Sequence, residues 1–331
     1  MLNKNMKHFR ELSRCLSRVE NREKGFLEAL GRLYPKTRGV PVWGFTGPPG
    51  AGKSTLVSQL VTTLRKKSLK VAVLAVDPSS PFTGGSLLGD RIRMQKHFSD
   101  DGVFIRSLGH RGFHGGLAQA TKDLIVCLDA HGFDRILIET VGVGQTELGI
   151  MEVADSTVVL LVPEAGDAVQ MLKAGLTEIA DIFVINKADR PGANDLQKIL
   201  QSTLQYSLAS LAEDESGHHG TRRAMPTNKP RHWEIPVLLA EAEKGNGVEE
   251  LLTALEAHGQ FQKTDAAFQK KKREMRREGF LDLLWETEKK RLEGKWLKDK
   301  KFQKDLDAVA DGTKNPYLSL RGVKRRSNLD E

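Results

Sequence analysis

In the stretch Gly47-Pro48-Pro49-Gly50-Ala51-Gly52-Lys53-Ser54-Thr55, the first eight residues match the pattern G-x-x-x-x-G-K-[ST]. An apolar run over 42–46 precedes them, and an amphipathic stretch over 56–64 follows. The motif therefore has the strand–loop–helix context that its chemistry requires. Its glycines let successive backbone N–H groups converge on an anion, and the helix N-terminus adds the positive end of its dipole. Lys53 supplies a point charge for β- and γ-phosphates, and the Ser54 hydroxyl can ligate Mg²⁺. Thr55 completes the loop and reads as a packing residue at the helix start.

A second group follows about 135 residues later. Asn186-Lys187-Ala188-Asp189 comes directly after the apolar run 182–185, at a strand end where open α/β sheets bind ligands. The Asp189 carboxylate can accept from guanine N1–H and the exocyclic amine, a donor pair that adenine lacks, so it selects GTP over ATP. Asn186 is expected to brace the loop and the Lys187 stem to cover the base. Glu241-Ala242 stands where Ser-Ala is usual, and is expected to offer a backbone N–H to the guanine carbonyl. Three carboxylates can face the phosphates: Asp77 at the end of the run 71–76, Asp90 at the close of the loop 78–89, and Glu139 at the end of the run 135–138. They are candidates to hold a hydrated Mg²⁺ and an attacking water beside Ser54. Gly142 lies in the segment Thr140-Val141-Gly142-Val143-Gly144-Gln145, expected to contact the nucleotide. Val143 occupies the position of a water-orienting Gln, which predicts slow hydrolysis by the protein alone, with Gln145 as a candidate substitute.

These groups need a scaffold of alternating strands and helices. Near-continuous Val/Ile/Leu runs at 42–46, 71–76, 135–139, 157–162, 182–185 and 235–239 predict strands buried on both faces of a mostly parallel sheet. Residues 6–33 show helical spacing, and after 250 the pattern is helical over 249–258, 265–294 and 297–310, with gaps expected at Gly259, Gly294 and Gly312. The polar stretch 213–232, with His218 and His219, reads as an exposed loop. The chain has 331 residues, 39% hydrophobic and 28% charged, enough for one large core with appendages. Its formal net charge of +8 is concentrated after residue 261, where 20 Lys and Arg face 13 Asp and Glu. That arm reads as a solvated helical face; without aromatic interleaving or zinc-finger spacing, no nucleic-acid partner is expected. No apolar run approaches the length of a membrane span, so no membrane partner is expected. The N-terminus lacks a secretory h-region, although its basic amphipathic character leaves an organelle-targeting reading open. Two cysteines, Cys15 and Cys127, without a CxxC, argue against a disulfide scaffold or structural zinc and for a cytoplasmic location.

Taken with the blocks AVDPSSPFTGGSLLGDRIRM (75–94), RSLGH (106–110), GGLA (115–118) and IETVGVGQTE (138–147), these motifs make the sequence similar to the methylmalonyl-CoA mutase-associated GTPases, once described as arginine/ornithine transport ATPases. The resemblance covers about residues 10–320. It implies an α/β P-loop NTPase fold of the SIMIBI-type G-domain class. A helical N-terminal extension would span 1–38, the GTPase domain 39–259, and a C-terminal helical dimerisation arm 260–331. It also implies a homodimeric G-protein chaperone that binds Mg²⁺ with GTP or GDP. Its partner would be an adenosylcobalamin-dependent acyl-CoA mutase, whose cofactor loading and release it gates and which it protects. Switch I then maps to 77–90, switch II to 139–147 and a third switch to about 162–173, where Gln170 and Lys173 are candidates to act when the partner docks. Lys173 is the added catalytic cation in that reading, and His110 and His114 lie near the switches. Two other readings stay open. A kinase or ATPase of an amino-acid transport system would need a phosphoacceptor pocket with its own base. A nickel-type metallochaperone would need more ligands than His218-His219 supplies.

Overall fold

A computed structural model describes residues 4–77, 94–109, 116–140, 153–164, 179–213 and 233–320. Seven strands form one parallel sheet: β1 (Val42–Thr46), β2 (Val71–Asp77), β3 (Val103–Gly109), β4 (Arg135–Thr140), β5 (Ser156–Leu161), β6 (Ile182–Asn186) and β7 (Val237–Ala240). Their order is β3-β2-β4-β1-β5-β6-β7, with every pair parallel. The chain moves outward from β1 to β2 and β3, returns to insert β4, and then builds the other half through β5, β6 and β7. The C-terminal end of β1 is therefore the place where the strand order reverses, and the crevice there is where such sheets take ligands.

Helices cover both faces because the strands bury residues of both parities. On one face, α3 (Lys53–Lys66) and α6 (Val248–Thr264) pack Leu56, Leu60, Leu64, Leu251 and Leu255 against Phe45, Val73, Leu137 and Val158. On the other, α1 (Lys4–Glu20) and α4 (Gly116–Ala130) pack Leu12, Leu16, Val19, Leu124 and Leu128 against Leu74, Phe104, Ile136 and Ile138. A further cluster joins α5 (Ala193–Glu213) to β5 and β6 through Leu196, Leu200, Phe183 and Ile185. The N-terminal helix is thus part of the core. Arg106 on β3 ties it down, donating to Ser17 Oγ at 3.2 Å and pairing with Glu20. A short helix, α2 (Phe26–Leu33), follows after a turn in which Arg22 and Gly25 adopt positive φ.

The six expected strands are present, within one or two residues at their ends. β3 is additional. Its sequence Val-Phe-Ile-Arg-Ser-Leu-Gly has no continuous apolar run, because an edge strand is covered less and tolerates Arg106 and Ser107. Two expected gaps are corrected as well. α6 runs through Gly259, since its neighbours are pinned: His258 Nδ1 meets Ser156 Oγ at 2.8 Å, and Gln262 bonds the Asp155 carbonyl. α7 (Ala266–Trp296) runs through Gly294, carried by pairs such as Lys290–Glu286 at 3.0 Å and Arg291–Glu288 at 2.8 Å. The breaks fall at aspartates instead. Asp265 accepts from Phe268 N at 2.6 Å, and Asp299 from Lys301 N at 2.8 Å at the start of α8 (Lys300–Ala310). A helical glycine costs about 1 kcal/mol and packing overrides it, whereas a capping carboxylate satisfies amides that a new helix would otherwise leave open.

The chain divides into two compact units, Met1–Arg273 and Glu274–Glu331. Within the second, Trp296 stacks on Phe302 with ring centroids 5.7 Å apart, and Lys314 pairs with Asp305. No helix among the described residues is long and apolar enough to cross a membrane.

Candidate functional site

The loop after β1 is shaped by two contacts that permit only glycine. Gly47 has φ +136°, and a Cβ there would stand 2.2 Å from the carbonyl oxygen of Leu160 on β5. Gly52 has φ +87°, and its Cβ would stand 2.3 Å from Asn186 Nδ2. The loop is therefore pressed against the ends of β5 and β6 while it leads into α3, whose first amides have no intrahelical acceptors. Together these features form an anion-binding helix start. Gly47 is buried, Pro48 half-buried, and Pro49 and Gly50 are exposed at the tip. Lys53 is buried, and its ammonium donates to the carbonyls of Gly47 at 2.7 Å and Pro48 at 3.0 Å. Its charge is thereby held inside the loop's own curvature. Thr55, half-buried one residue further on, lies beyond the buried pair Lys53 and Ser54.

Ser54 donates to Glu139 Oε1 at 2.5 Å, and both side chains are buried. The sheet order explains the contact. β4 lies next to β1 with Phe45 opposite Glu139, so the end of β4 faces the start of α3. One residue on, Thr140 Oγ1 donates to Thr46 Oγ1 at 3.1 Å, which locks the two strand ends together. A hydroxyl and a carboxylate in contact at the phosphate end of the loop are hard oxygen donors, and they fit Mg²⁺. Asp77 is the last residue of β2, two strands from the loop; its side chain lies outside the described residues. So do Asp90, Gly142, Val143, Gln145, Gln170, Lys173, His110, His114, His218 and His219.

Asn186 joins three segments. Its Nδ2 donates to the Ala51 carbonyl at 2.7 Å, and its Oδ1 accepts from Ala242 N at 3.0 Å. The buried amide thus holds the phosphate loop, the end of β6 and the turn after β7 in one arrangement. Lys187 then takes a left-handed conformation with φ +58°, unusual for a side chain with a Cβ. Ala188 N bonds the Ala240 carbonyl at 3.0 Å, and Asp189 is exposed at the turn. The Glu241 and Ala242 amides, expected at a guanine carbonyl, are engaged within the protein: Glu241 N donates to Asn246 O at 3.1 Å and Ala242 N to Asn186. Bracing the loop through Asn186 uses the Ala242 donor.

Two further residues escaped the sequence reading. Arg190, next to Asp189, pairs with Glu164 after β5, and this guanidinium holds the Glu164 carboxyl below the usual range. His97 is buried against α3, with Nε2 3.0 Å from the Ser58 carbonyl, and burial pushes its pKa down. A lone Arg after N-K-x-D and a lone His in a turn carry no spacing signal, so only the fold could reveal them.

The family-wide sequence model described as "Methylmalonyl Co-A mutase-associated GTPase MeaB" matches residues 12–296. The chain belongs to this family. It is a MeaB-family GTPase, hydrolysing GTP to GDP and phosphate and therefore binding guanine nucleotide. The GTPase ArgK of Escherichia coli is 36% identical over 262 residues, covering 76% of this chain and 74% of the relative. The mouse mitochondrial methylmalonic aciduria type A homolog is 46% identical over 146 residues, covering 44% of this chain and 35% of that protein. Among solved structures, one titled LAO/AO transport system kinase superposes with a TM-score of 0.60 at 24% identity over 99% of each chain. That likeness bears out the P-loop fold of the MeaB-family chain.

Proposed function

We propose that this MeaB-family GTPase is a G-protein chaperone of an adenosylcobalamin-dependent acyl-CoA mutase, gating loading and release of the mutase cofactor and protecting the enzyme. The family match over residues 12–296 carries the reading. The name of the mouse relative, drawn from a disorder of methylmalonate metabolism, agrees with it. A homodimer built through the C-terminal arm and a cytoplasmic location belong to the same reading.

In this site Lys53 exchanges loop carbonyls for β- and γ-phosphate oxygens, while the amides from Gly50 to Thr55 cradle the phosphate chain. Gly47, Pro48 and Pro49 set the curve of that cradle. Ser54 and Glu139, with Asp77 and Asp90, hold Mg²⁺, which when bound supplies positive charge to the phosphate oxygens. Glu139 orients the attacking water, and Gly142 lets the segment after β4 approach the γ-phosphate. Asn186 braces the loop, Lys187 covers the base and Asp189 accepts the guanine donors, next to the turn Glu241-Ala242. Lys173 adds a cation when the partner docks. The conformational cycle then follows from switch segments ordered by the γ-phosphate and released on hydrolysis.

Two measurements test this. Titration calorimetry should show GDP binding at least ~10-fold tighter than ADP, or about 1.4 kcal/mol, and Asp189→Asn should shift preference toward xanthosine diphosphate. Equal affinity for GDP and ADP would remove the base assignment. Capture of a cobalamin-dependent mutase should depend on whether GDP or a non-hydrolysable GTP analogue is bound. Capture independent of nucleotide, or none, rejects the chaperone reading.

A further inference from the structure

The chain's two cysteines are 112 residues apart in sequence and meet in the fold. Cys15 lies on the inner side of α1, among Leu12, Leu16 and Val19, and Cys127 lies on α4 between Leu124 and Leu128. Their sulfurs are 3.7 Å apart, and both are free thiols. A disulfide needs about 2.05 Å, so an approach of about 1.6 Å closes the bond, within reach of small side-chain rotations. The two positions differ in access: Cys127 is fully buried, whereas Cys15 is half-buried.

The chemistry is asymmetric in the same sense. Contact with the Cys127 thiol brings the Cys15 thiol down to about 7, helped by the Arg18 charge. Contact with Cys15, together with burial, pushes the Cys127 thiol up. Cys15 is thus partly ionised at neutral pH and reachable by a small oxidant, and Cys127 is a protonated thiol waiting behind it. A reactive cysteine beside a resolving one is the arrangement that reversible thiol oxidation uses.

We propose that Cys15 and Cys127 form a reversible oxidation site at which a hydroperoxide converts the two thiols to a disulfide that staples α1 to α4. The Cys15 thiolate attacks one peroxide oxygen; the S–O bond forms as the O–O bond breaks, and the leaving oxygen takes a proton. Cys127 sulfur then attacks Cys15 sulfur of the sulfenic acid. The S–S bond forms, the S–O bond breaks, and hydroxide leaves as water with the Cys127 proton. Two thiols lose two electrons and two protons, and one hydroperoxide is reduced to an alcohol and water. A small dithiol reverses the step by exchange at the more accessible Cys15 sulfur. The closed loop contains β1, the phosphate loop, α3, β2 and β3, so oxidation restricts the unfolded chain over a long span.

Hydrogen peroxide added to the reduced full-length protein tests this, with rapid alkylation and tryptic mapping. Peptide 15–18 is expected joined to peptide 123–135, with both thiols lost and no covalent dimer on a non-reducing gel. The melting temperature should rise by several degrees and return after dithiothreitol. Because Cys127 is in the core, Cys15→Ser at the half-buried position serves as the control, and peroxide should leave its melting temperature unchanged. The proposal fails if both thiols remain free in folded protein, if Cys15 is oxidised to the sulfinic acid without linkage, or if linkage forms only between chains or only in denaturant.

Discussion

At the scale of single residues, the phosphate loop is held by steric exclusion as much as by attraction. Gly50 and Gly52 both have positive φ, but a Cβ at Gly50 would meet nothing within 4 Å, whereas one at Gly52 would collide with Asn186 Nδ2. Gly50→Ala therefore carries only the left-handed strain of about 1–2 kcal/mol. Gly52→Ala adds displacement of Asn186, with loss of its bonds to Ala51 and Ala242. GDP titration should find Gly52→Ala at least ~10-fold weaker than Gly50→Ala, about 1.4 kcal/mol further. Equal affinities would mean that Asn186 does not constrain the loop. Asn186→Ala leaves the Ala242 amide and Ala51 carbonyl to find other partners. Denaturant unfolding should register a loss of about 1–3 kcal/mol, the cost of stranding buried polar groups.

At the scale of elements, α1 is held to the sheet by apolar packing, with Arg106 as its polar anchor. Leu16 is fully buried against the α4 side of the sheet. Leu16→Ala should cost about 2–5 kcal/mol in urea unfolding, and a cost near zero would mean that α1 docks only loosely. The end of α3 is fixed differently. Arg65 reaches Asp100 twice, Nε to Oδ2 at 2.9 Å and Nη2 to Oδ1 at 2.9 Å, while Gly102 N donates to Oδ1 at 2.8 Å. The Arg65 hydrogen bond holds the Asp100 carboxyl below the usual carboxylate range. A carboxylate with a lowered folded-state pKa stabilises fully above its unfolded value of about 4, and loses that contribution as pH falls through the folded value. Asp100→Asn should therefore cost up to ~1 kcal/mol at pH 7 and progressively less below pH 4. A cost that persists unchanged at pH 3 would show that the pair is not the source.

At the scale of the whole molecule, two compact units carry different surfaces. The first buries its leucines and valines around the sheet. In the second, α7 presents Phe280, Leu281, Leu284 and Trp285 to solvent at i, i+4 spacing, and Phe280 and Trp285 are each about two-thirds exposed. Exposed apolar side chains at that spacing suit a self-complementary helical contact, in keeping with the proposed homodimer. Trp285→Asp should convert a dimer to a monomer in sedimentation velocity while leaving GDP affinity within about twofold. A parent protein that sediments as a monomer would reject this use of the arm.

The local chemistry was legible in the residues alone. The glycines, Lys53 and Ser54 of the loop, the N-K-x-D turn and six buried strands all announce themselves, because phosphate cradles and doubly covered strands impose composition and spacing over a few consecutive positions. The tertiary structure decided what depends on residues far apart in the chain. Insertion of β4 between β2 and β1 carries Glu139 to Ser54. Asn186 uses the Ala242 amide that the sequence suggested for the base. β3 joins the edge with an arginine in it, and α6 passes straight through Gly259 because His258 and Gln262 are bonded across to the start of β5. None of these has a local pattern to read, since each is fixed by which strand lies beside which and by buried groups finding partners across the sheet.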